Sequence, residues 1–126
     1  PCTVGALTDR LVAGALLALS ELDPAHSIQL VGQTAVVNGE LDALARDPEY
    51  AAVSAQRNRL DIVEAAETIA MTDKPAAAVR GKPNSSMLVG LRLQAEGQSD
   101  AFVSAGNTGA QMAASMVVLS TAADSA

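Results

Sequence analysis

The first half of the chain shows helical spacing first and strand-like runs after it. Residues 9–22 carry apolar side chains at three- and four-residue intervals, which predicts an amphipathic helix. These side chains are Leu11, Val12, Ala15, Leu16 and Leu19. Asp23-Pro24 ends the helix, because the residue before a proline avoids helical dihedral angles. Short apolar runs at 27–31 and 60–63 predict strands, with a helix over 38–45 between them.

The second half has the pattern of further helices and one strand. Pro75 suits the first turn of a short helix that runs to Val79. A longer helix is predicted over 86–96, followed by Gly97 as a C-terminal cap. Residues 101–104 are predicted as a short buried strand and 110–119 as an apolar helix. Since helices separate the strands, the expected fold class is α/β with a mostly parallel sheet covered by helices.

Composition narrows the class of protein. The chain has 126 residues, which is the size of one domain, and 49% of them are hydrophobic, which excludes a disordered tail. A net charge of −6 argues against a general nucleic-acid or anionic-membrane binder. One cysteine (Cys2) and one histidine (His26) form neither an internal disulfide nor a four-ligand zinc site, so we expect no metal and a cytoplasmic protein. Glu64, Glu67 and Asp73 are expected to be solvated.

A glycine-rich turn is the strongest local signal. The segment Ser104-Ala105-Gly106-Asn107-Thr108-Gly109-Ala110 lies between the predicted strand and helix. Ligands bind at such turns in open α/β sheets, because glycine lets the backbone approach an anion and the N–H groups of the following helix point at it. The alternative is a structural turn, with Gly106 or Asn107 in a left-handed conformation and Thr108 as the N-cap. The pattern leaves both interpretations open.

A basic segment stands out in the acidic chain. Residues 74–92 hold four bases and no acid, whereas the remainder holds four bases and all 14 acids. Within this segment, Arg80 and Lys82 precede Ser85 and Ser86 at a predicted helix start, an arrangement that suits a phosphate. The alternative is a solvated surface segment in which Asn84 or Ser85 only caps the helix.

These residues together resemble the bacterial phosphate acyltransferase family called PlsX. The similarity covers about residues 12–119 and rests on four motifs that keep the spacing of that family. The motifs are Glu64-Ala65-Ala66-Glu67-Thr68-Ile69-Ala70-Met71, Lys74-Pro75, Ala78-Val79-Arg80-x-Lys82-x-Asn84-Ser85-Ser86-Met87 and Ala101 through Ala110. Where that family has a strand leading into Ala-Met-Gly-Gly-Asp, this chain has Pro1-Cys2-Thr3-Val4-Gly5-Ala6. After Leu119 the sequence leaves the family pattern, and that family continues for roughly the length of another domain or more. We therefore expect residues 1–126 to be the N-terminal part of a single catalytic domain.

The resemblance implies a fold and an activity. The fold would be a three-layer α/β structure of the isocitrate dehydrogenase and phosphate acetyltransferase type, incomplete in this chain. The activity would be transfer of a fatty acyl group from acyl carrier protein to inorganic phosphate, without a cofactor, giving acyl phosphate for phospholipid synthesis. The resemblance also implies a cytoplasmic homodimer that associates peripherally with the inner membrane surface.

The resemblance also implies where substrates bind, although it assigns no catalytic residue in this chain. Phosphate would lie near Ser104, Gly106, Asn107, Thr108, Gly109, Arg80, Lys82, Ser85 and Ser86. Two other functions stay open: a phosphate acetyl- or butyryltransferase that uses acyl-coenzyme A, and a non-catalytic α/β remnant.

Overall fold

A computed structural model describes residues 6–125 of the chain. These residues form two compact units, 6–64 and 65–125. The secondary structure is α/β with a small parallel sheet. The expected α/β class is confirmed at this level, and the expectation of one catalytic domain stays a prediction. Cys2 lies outside the described residues. Within the described part of the chain, no helix is both long and apolar enough to cross a membrane.

The N-terminal unit pairs two short strands and covers them with helices. Its elements are α1 (Ala6–Glu21), β1 (Ile28–Gly32), α2 (Thr34–Arg46), a 3₁₀ helix (Val53–Arg59) and β2 (Leu60–Glu64). The strands are parallel, with Ile28 opposite Leu60 and Gly32 opposite Glu64. The predicted parallel pairing is therefore confirmed, and α2 begins four residues before the predicted start.

The apolar stripe of α1 forms the core of this unit. Leu16 and Leu19 are fully buried and Val12 is nearly so, in contact with Leu41 of α2 and Leu60 of β2 in one cluster. Burying a leucine side chain contributes about 1.5–3 kcal/mol, so this stripe supplies much of the driving force for folding. The spacing that predicted the helix thus also predicted its buried face.

Arg59 closes the C-terminal end of α1. Its guanidinium donates to the carbonyl of Leu19 at 2.7 Å, to that of Asp23 at 2.7 Å and to that of His26 at 2.9 and 3.0 Å. The last carbonyls of a helix have no partner within the helix, and a cation is favourable beside them. His26 itself is exposed.

Glu64 binds the N-terminus of α2 through its side chain. One carboxylate oxygen accepts the backbone N–H of Thr34 at 2.8 Å and also the Thr34 hydroxyl. Both bonds hold the pKa of Glu64 below its ordinary value, and the bond from the Thr34 hydroxyl contributes more than the bond from the Thr34 backbone N–H. The expectation that Glu64 is merely solvated is therefore wrong, because this exposed carboxylate binds a helix N-terminus.

The C-terminal unit is made of three helices. These are α3 (Pro75–Gly81), α4 (Ser86–Ala95) and α5 (Thr108–Ser125). Ile69, Met87, Leu91, Ala110 and Ala114 are almost completely buried in its core. The predicted helices at 75–79 and 86–96 are confirmed, and Gly97 has a φ of +78°. That φ explains the need for glycine after α4.

The predicted strand at 101–104 is wrong. The segment is irregular and Val103 is 91% exposed. A strand needs a neighbour for its backbone groups, and residues 65–125 contain no other strand beside which it could lie. Phe102 instead packs on α4, where a Cβ on Gly90 would be 2.6 Å from its ring.

Candidate anion site

The nine predicted site residues all lie in the C-terminal unit, on two segments. Both segments are bonded to the same connection, residues 67–73. The first segment, 80–86, is bonded to Glu67 and Thr68, and the second, 104–109, is bonded to Ala70 and Asp73. The structure therefore brings the two sequence motifs to one connecting segment.

Glu67 holds the first segment through its backbone and its side chain. Its N–H donates to the carbonyl of Asn84, and its carbonyl accepts the N–H of Ser86 at 3.1 Å. Its carboxylate accepts the N–H of Asn84 at 3.0 Å. Glu67 is thus a structural acceptor and not simply solvated.

The two serines at the start of α4 have different environments. Ser85 is fully buried, and its hydroxyl accepts the N–H of Leu88 at 3.3 Å, so Ser85 is the N-cap. Ser86 is 7% exposed, and its hydroxyl oxygen has no hydrogen-bond partner among the described residues. Neither hydroxyl is open to a ligand in this structure, and the capping role that sequence analysis left open is the one observed for Ser85.

Lys82 is held by an ion pair. Its Nζ lies 2.8 Å from a carboxylate oxygen of Asp73 and donates to the carbonyl of Thr68 at 2.8 Å. The same Asp73 oxygen accepts the N–H of Ala70 at 2.9 Å. Both bonds lower the pKa of Asp73 below its ordinary value, and the bond from Lys82 has the larger effect. Asp73 is therefore a paired carboxylate, and the expectation that it is solvated is wrong.

Asn107 is the N-cap of α5. Its side-chain oxygen accepts the N–H of Ala110 at 3.1 Å, and its Nδ2 donates to the carbonyls of Ala70 at 3.1 Å and Asp73 at 3.0 Å. The structural alternative placed the cap at Thr108 and a left-handed residue at Gly106 or Asn107. Both details are wrong: Thr108 is the first residue of α5, and within residues 6–125 only Gly97 has a positive φ.

The glycines of the turn have separate structural reasons. A Cβ on Gly109 would be 2.8 Å from Cγ of Pro75, so only glycine lets α5 approach α3 this closely. Gly106 is buried, and its N–H donates to the Ser104 hydroxyl at 3.1 Å. The turn is thus stabilised by its own hydrogen bond between Gly106 and Ser104 and by packing of Gly109 against α3.

Several donors at this end of α5 stay unused. Within residues 6–125 the backbone N–H groups of Thr108 and Gly109 have no acceptor, and both residues are exposed. Unpaired N–H groups at the start of a helix attract anions. Lys74 is exposed and lies between the two residues that contact this end of α5: Asp73 binds Asn107, and Pro75 touches Gly109.

Two of the four cations of the basic segment are bound to other groups of the chain, and two have side chains without a partner among the described residues. Lys82 pairs with Asp73, and Arg92 donates to the carbonyl of Pro83 at 2.5 Å. Lys74 and Arg80 are exposed, and their side chains make no ion pair or hydrogen bond with the described residues. A shallow, open depression of about 340 Å³ lies against α3, with Lys74 and Lys82 among its lining residues. Among the residues described, no group of three or more metal-ligating side chains is present.

The sequence matches the model of one protein family. The family is described as "Fatty acid synthesis protein", and the match covers residues 6–124, slightly more than the 12–119 expected. The chain belongs to this family. The resemblance on which sequence analysis relied is therefore confirmed.

Curated proteins that are similar to this chain carry an enzyme name. The phosphate acyltransferase of Pseudomonas syringae pv. syringae (strain B728a) is 45% identical over 112 residues, which is 89% of this chain and 31% of that protein. The phosphate acyltransferase of Salinibacter ruber (strain DSM 13855 / M31) is 45% identical over 111 residues, or 88% of this chain and 30% of that protein. The chain thus spans about a third of the length of the curated relatives it matches.

Two residues that shape this site are absent from the set predicted from the sequence. Asp73 organises the connection to which both motifs are bonded, and Lys74 is an exposed cation whose chain neighbours, Asp73 and Pro75, both contact the start of α5. The signal for Lys74 was its place at the head of the acid-free segment. No local signal marks Asp73, because its partners Lys82 and Asn107 are distant along the chain.

Proposed function

We propose that this chain is the N-terminal portion of an enzyme that transfers a fatty acyl group from acyl carrier protein to inorganic phosphate, giving acyl phosphate for phospholipid synthesis. Family membership and the name phosphate acyltransferase on relatives support the reaction class. The observation that carries the proposal is the exposed start of α5, where the N–H groups of Thr108 and Gly109 are unused. The exposed Lys74 lies in the chain between Asp73 and Pro75, which both contact this end of α5.

The chemistry of this transfer suits such a site. Phosphate is itself the nucleophile, so the protein has to hold it beside a thioester carbonyl and stabilise the developing oxyanion. Backbone N–H donors and a few cations accomplish both without a catalytic cysteine or histidine. The phosphate-binding groups would be the Thr108 and Gly109 N–H groups, the Thr108 hydroxyl, and the side chains of Lys74 and Arg80.

The other predicted residues would shape this site and not touch the phosphate. The side chain of Asn107 caps α5 and donates to two carbonyls. Lys82 is paired with Asp73, and Ser85 caps α4. Ser104 and Gly106 bond to each other within the turn. Ser86 would contact a ligand only if the start of α4 opened.

The remaining expectations are also part of the proposal. The complete protein would have the three-layer fold of the isocitrate dehydrogenase and phosphate acetyltransferase type. It would act as a cytoplasmic homodimer that associates peripherally with the inner membrane surface. The parallel pairing of β1 and β2 and their helical cover are consistent with such a fold.

A phosphate titration of the ¹⁵N-labelled chain, followed by NMR, tests the site. We expect the Thr108 and Gly109 amide signals to shift with phosphate and not with equal ionic strength of chloride. Lys74→Met should weaken the binding by about ten- to a hundredfold, since a hydrogen bond to a charged group contributes roughly 1.5–3 kcal/mol and about 1.4 kcal/mol is a factor of ten. Arg46→Met, which removes an exposed cation from the N-terminal unit, should leave it unchanged. Absence of the shift would contradict the proposed site.

The acyl donor is tested on the full-length protein. Acyl phosphate formation with acyl carrier protein as donor, and much less with acyl-coenzyme A, is the expected result. Preference for short-chain acyl-coenzyme A would indicate a phosphate acetyl- or butyryltransferase. Phosphate binding without turnover of either donor would indicate a non-catalytic remnant.

A further inference from the structure

We propose that Asp73 is a positioning residue, which sets the start of α5 through Asn107 without touching the substrate. The part of this inference that concerns phosphate rests on the function proposed above. The part that concerns the geometry of α5 does not.

The first step is the turn that Asp73 closes on itself. One oxygen of its carboxylate accepts the N–H of Ala70 at 2.9 Å, and its own N–H donates to the carbonyl of Ala70 at 3.1 Å. Lys82 binds the same carboxylate oxygen at 2.8 Å and also holds the carbonyl of Thr68. Residues 68–73 are thereby fixed by one carboxylate and one ammonium group.

The second step carries this geometry to α5. The carbonyls of Ala70 and Asp73, the two ends of the turn, both accept hydrogen bonds from Nδ2 of Asn107. Asn107 is 7% exposed, and its two amide hydrogens are fully used by these carbonyls. The position of the turn therefore fixes the Asn107 side chain, whose oxygen caps α5 through Ala110.

The third step is a second contact between this segment and the start of α5, next to the hydrogen bond between Asp73 and Asn107. Pro75 touches Gly109 so closely that a Cβ would not fit, and Asp73 binds Asn107. Lys74, between them, is thus held at the start of α5 from both sides. If the 70–73 turn loosens, both the cap and the placement of Lys74 change.

Because Asp73 is negatively charged, an electrostatic role and a positioning role predict opposite changes in phosphate affinity when the charge is removed. A carboxylate near an anion site repels the anion, so its removal would tighten phosphate binding if electrostatics were its only effect. Removal would also free the ammonium of Lys82 for phosphate. A positioning role predicts the opposite, namely weaker binding when Asp73 loses its charge.

The experiment compares Asp73→Asn with Asp100→Asn, which neutralises an exposed acid of the same unit whose carboxylate makes no hydrogen bond with the described residues. In Asp73→Asn, the Asn107 side-chain amide and the Ala110 N–H should exchange with solvent about tenfold faster, as expected when about one net hydrogen bond is lost. Phosphate, followed at Thr108 and Gly109, should bind about three- to tenfold more weakly. Asp100→Asn should change neither measurement.

Three results would overturn the inference. They are unchanged exchange at Asn107 and Ala110 in Asp73→Asn, tighter phosphate binding in that variant, or equal effects of Asp100→Asn. If Asp73→Asn does not fold, Lys82→Gln, which keeps the Asp73–Ala70 bond, should show the same exchange effect to a smaller extent. If the unmodified chain shows no phosphate shift, the proposed phosphate site fails, and the exchange measurement alone still decides the role of Asp73.

Discussion

Gly109 lies against the ring of Pro75, and a Cβ at Gly109 would be 2.8 Å from Cγ of that ring. This contact sets how closely the start of α5 approaches α3. It links the proline of the basic segment to the second glycine of the glycine-rich turn, two features that are 34 residues apart in the sequence. A glycine expected for phosphate contact is thus also required by packing.

Gly109→Ala should destabilise the C-terminal unit by about 1–3 kcal/mol, because the added methyl group overpacks the contact with Pro75. Gly81→Ala is the matched control, since a Cβ there meets nothing within 4 Å and alanine favours a helix. Urea unfolding followed by residue-resolved NMR measures both. Equal stability of the two variants would contradict the close packing.

Ser85→Ala and Ser86→Ala should differ although the residues are neighbours. Loss of the cap at Ser85 should cost about 1 kcal/mol. Ser86→Ala should be neutral or stabilising, because the buried Ser86 hydroxyl has no partner within residues 6–125 and burying it unpaired is unfavourable. Thermal unfolding of the two variants tests this, and a larger loss at Ser86 would show that its hydroxyl has a partner in solution.

Stability of the N-terminal unit should depend on pH through Glu64. Its pKa is lowered in the folded state by the bonds from Thr34, so the stabilisation is complete above the ordinary carboxyl pKa. It is lost as the pH falls through the lower folded value, where the carboxylate takes up a proton. The urea midpoint of Glu64→Gln should therefore be lower at neutral pH and should converge with that of the unmodified chain in acid. Asp61→Asn, an exposed acid on the same strand, is the control, and an equal pH dependence after Glu64→Gln would contradict the cap.

Arg59→Lys should destabilise the N-terminal unit by about 2 kcal/mol. Lysine keeps the positive charge, but a single ammonium group does not reach the three carbonyls that the planar guanidinium binds at Leu19, Asp23 and His26. Arg46→Lys, an exposed cation at the end of α2, should have almost no effect. A urea midpoint in Arg59→Lys that matches the control would show that charge, and not the guanidinium geometry, closes α1.

The sequence alone determined the elements whose signals are local. The apolar stripe of α1 appears at helical spacing because one helix face is buried, and Pro75 and Gly97 mark helix ends because their own backbone preferences require it. The strands at 28–32 and 60–64 were predictable from short apolar runs bounded by polar residues. The two motifs that mark the candidate site were also visible in the sequence, together with the family they resemble.

Only the tertiary structure decided how the candidate residues divide between structure and ligand. The start of α2 depends on Glu64, the end of α1 depends on Arg59, and the start of α5 depends on a turn closed by Asp73. Each of these bonds joins residues that are far apart in sequence, so no local pattern encodes it. The same physics explains why 101–104 is not a strand: an extended apolar segment becomes a strand only beside a partner for its backbone, and the described residues of its unit offer none.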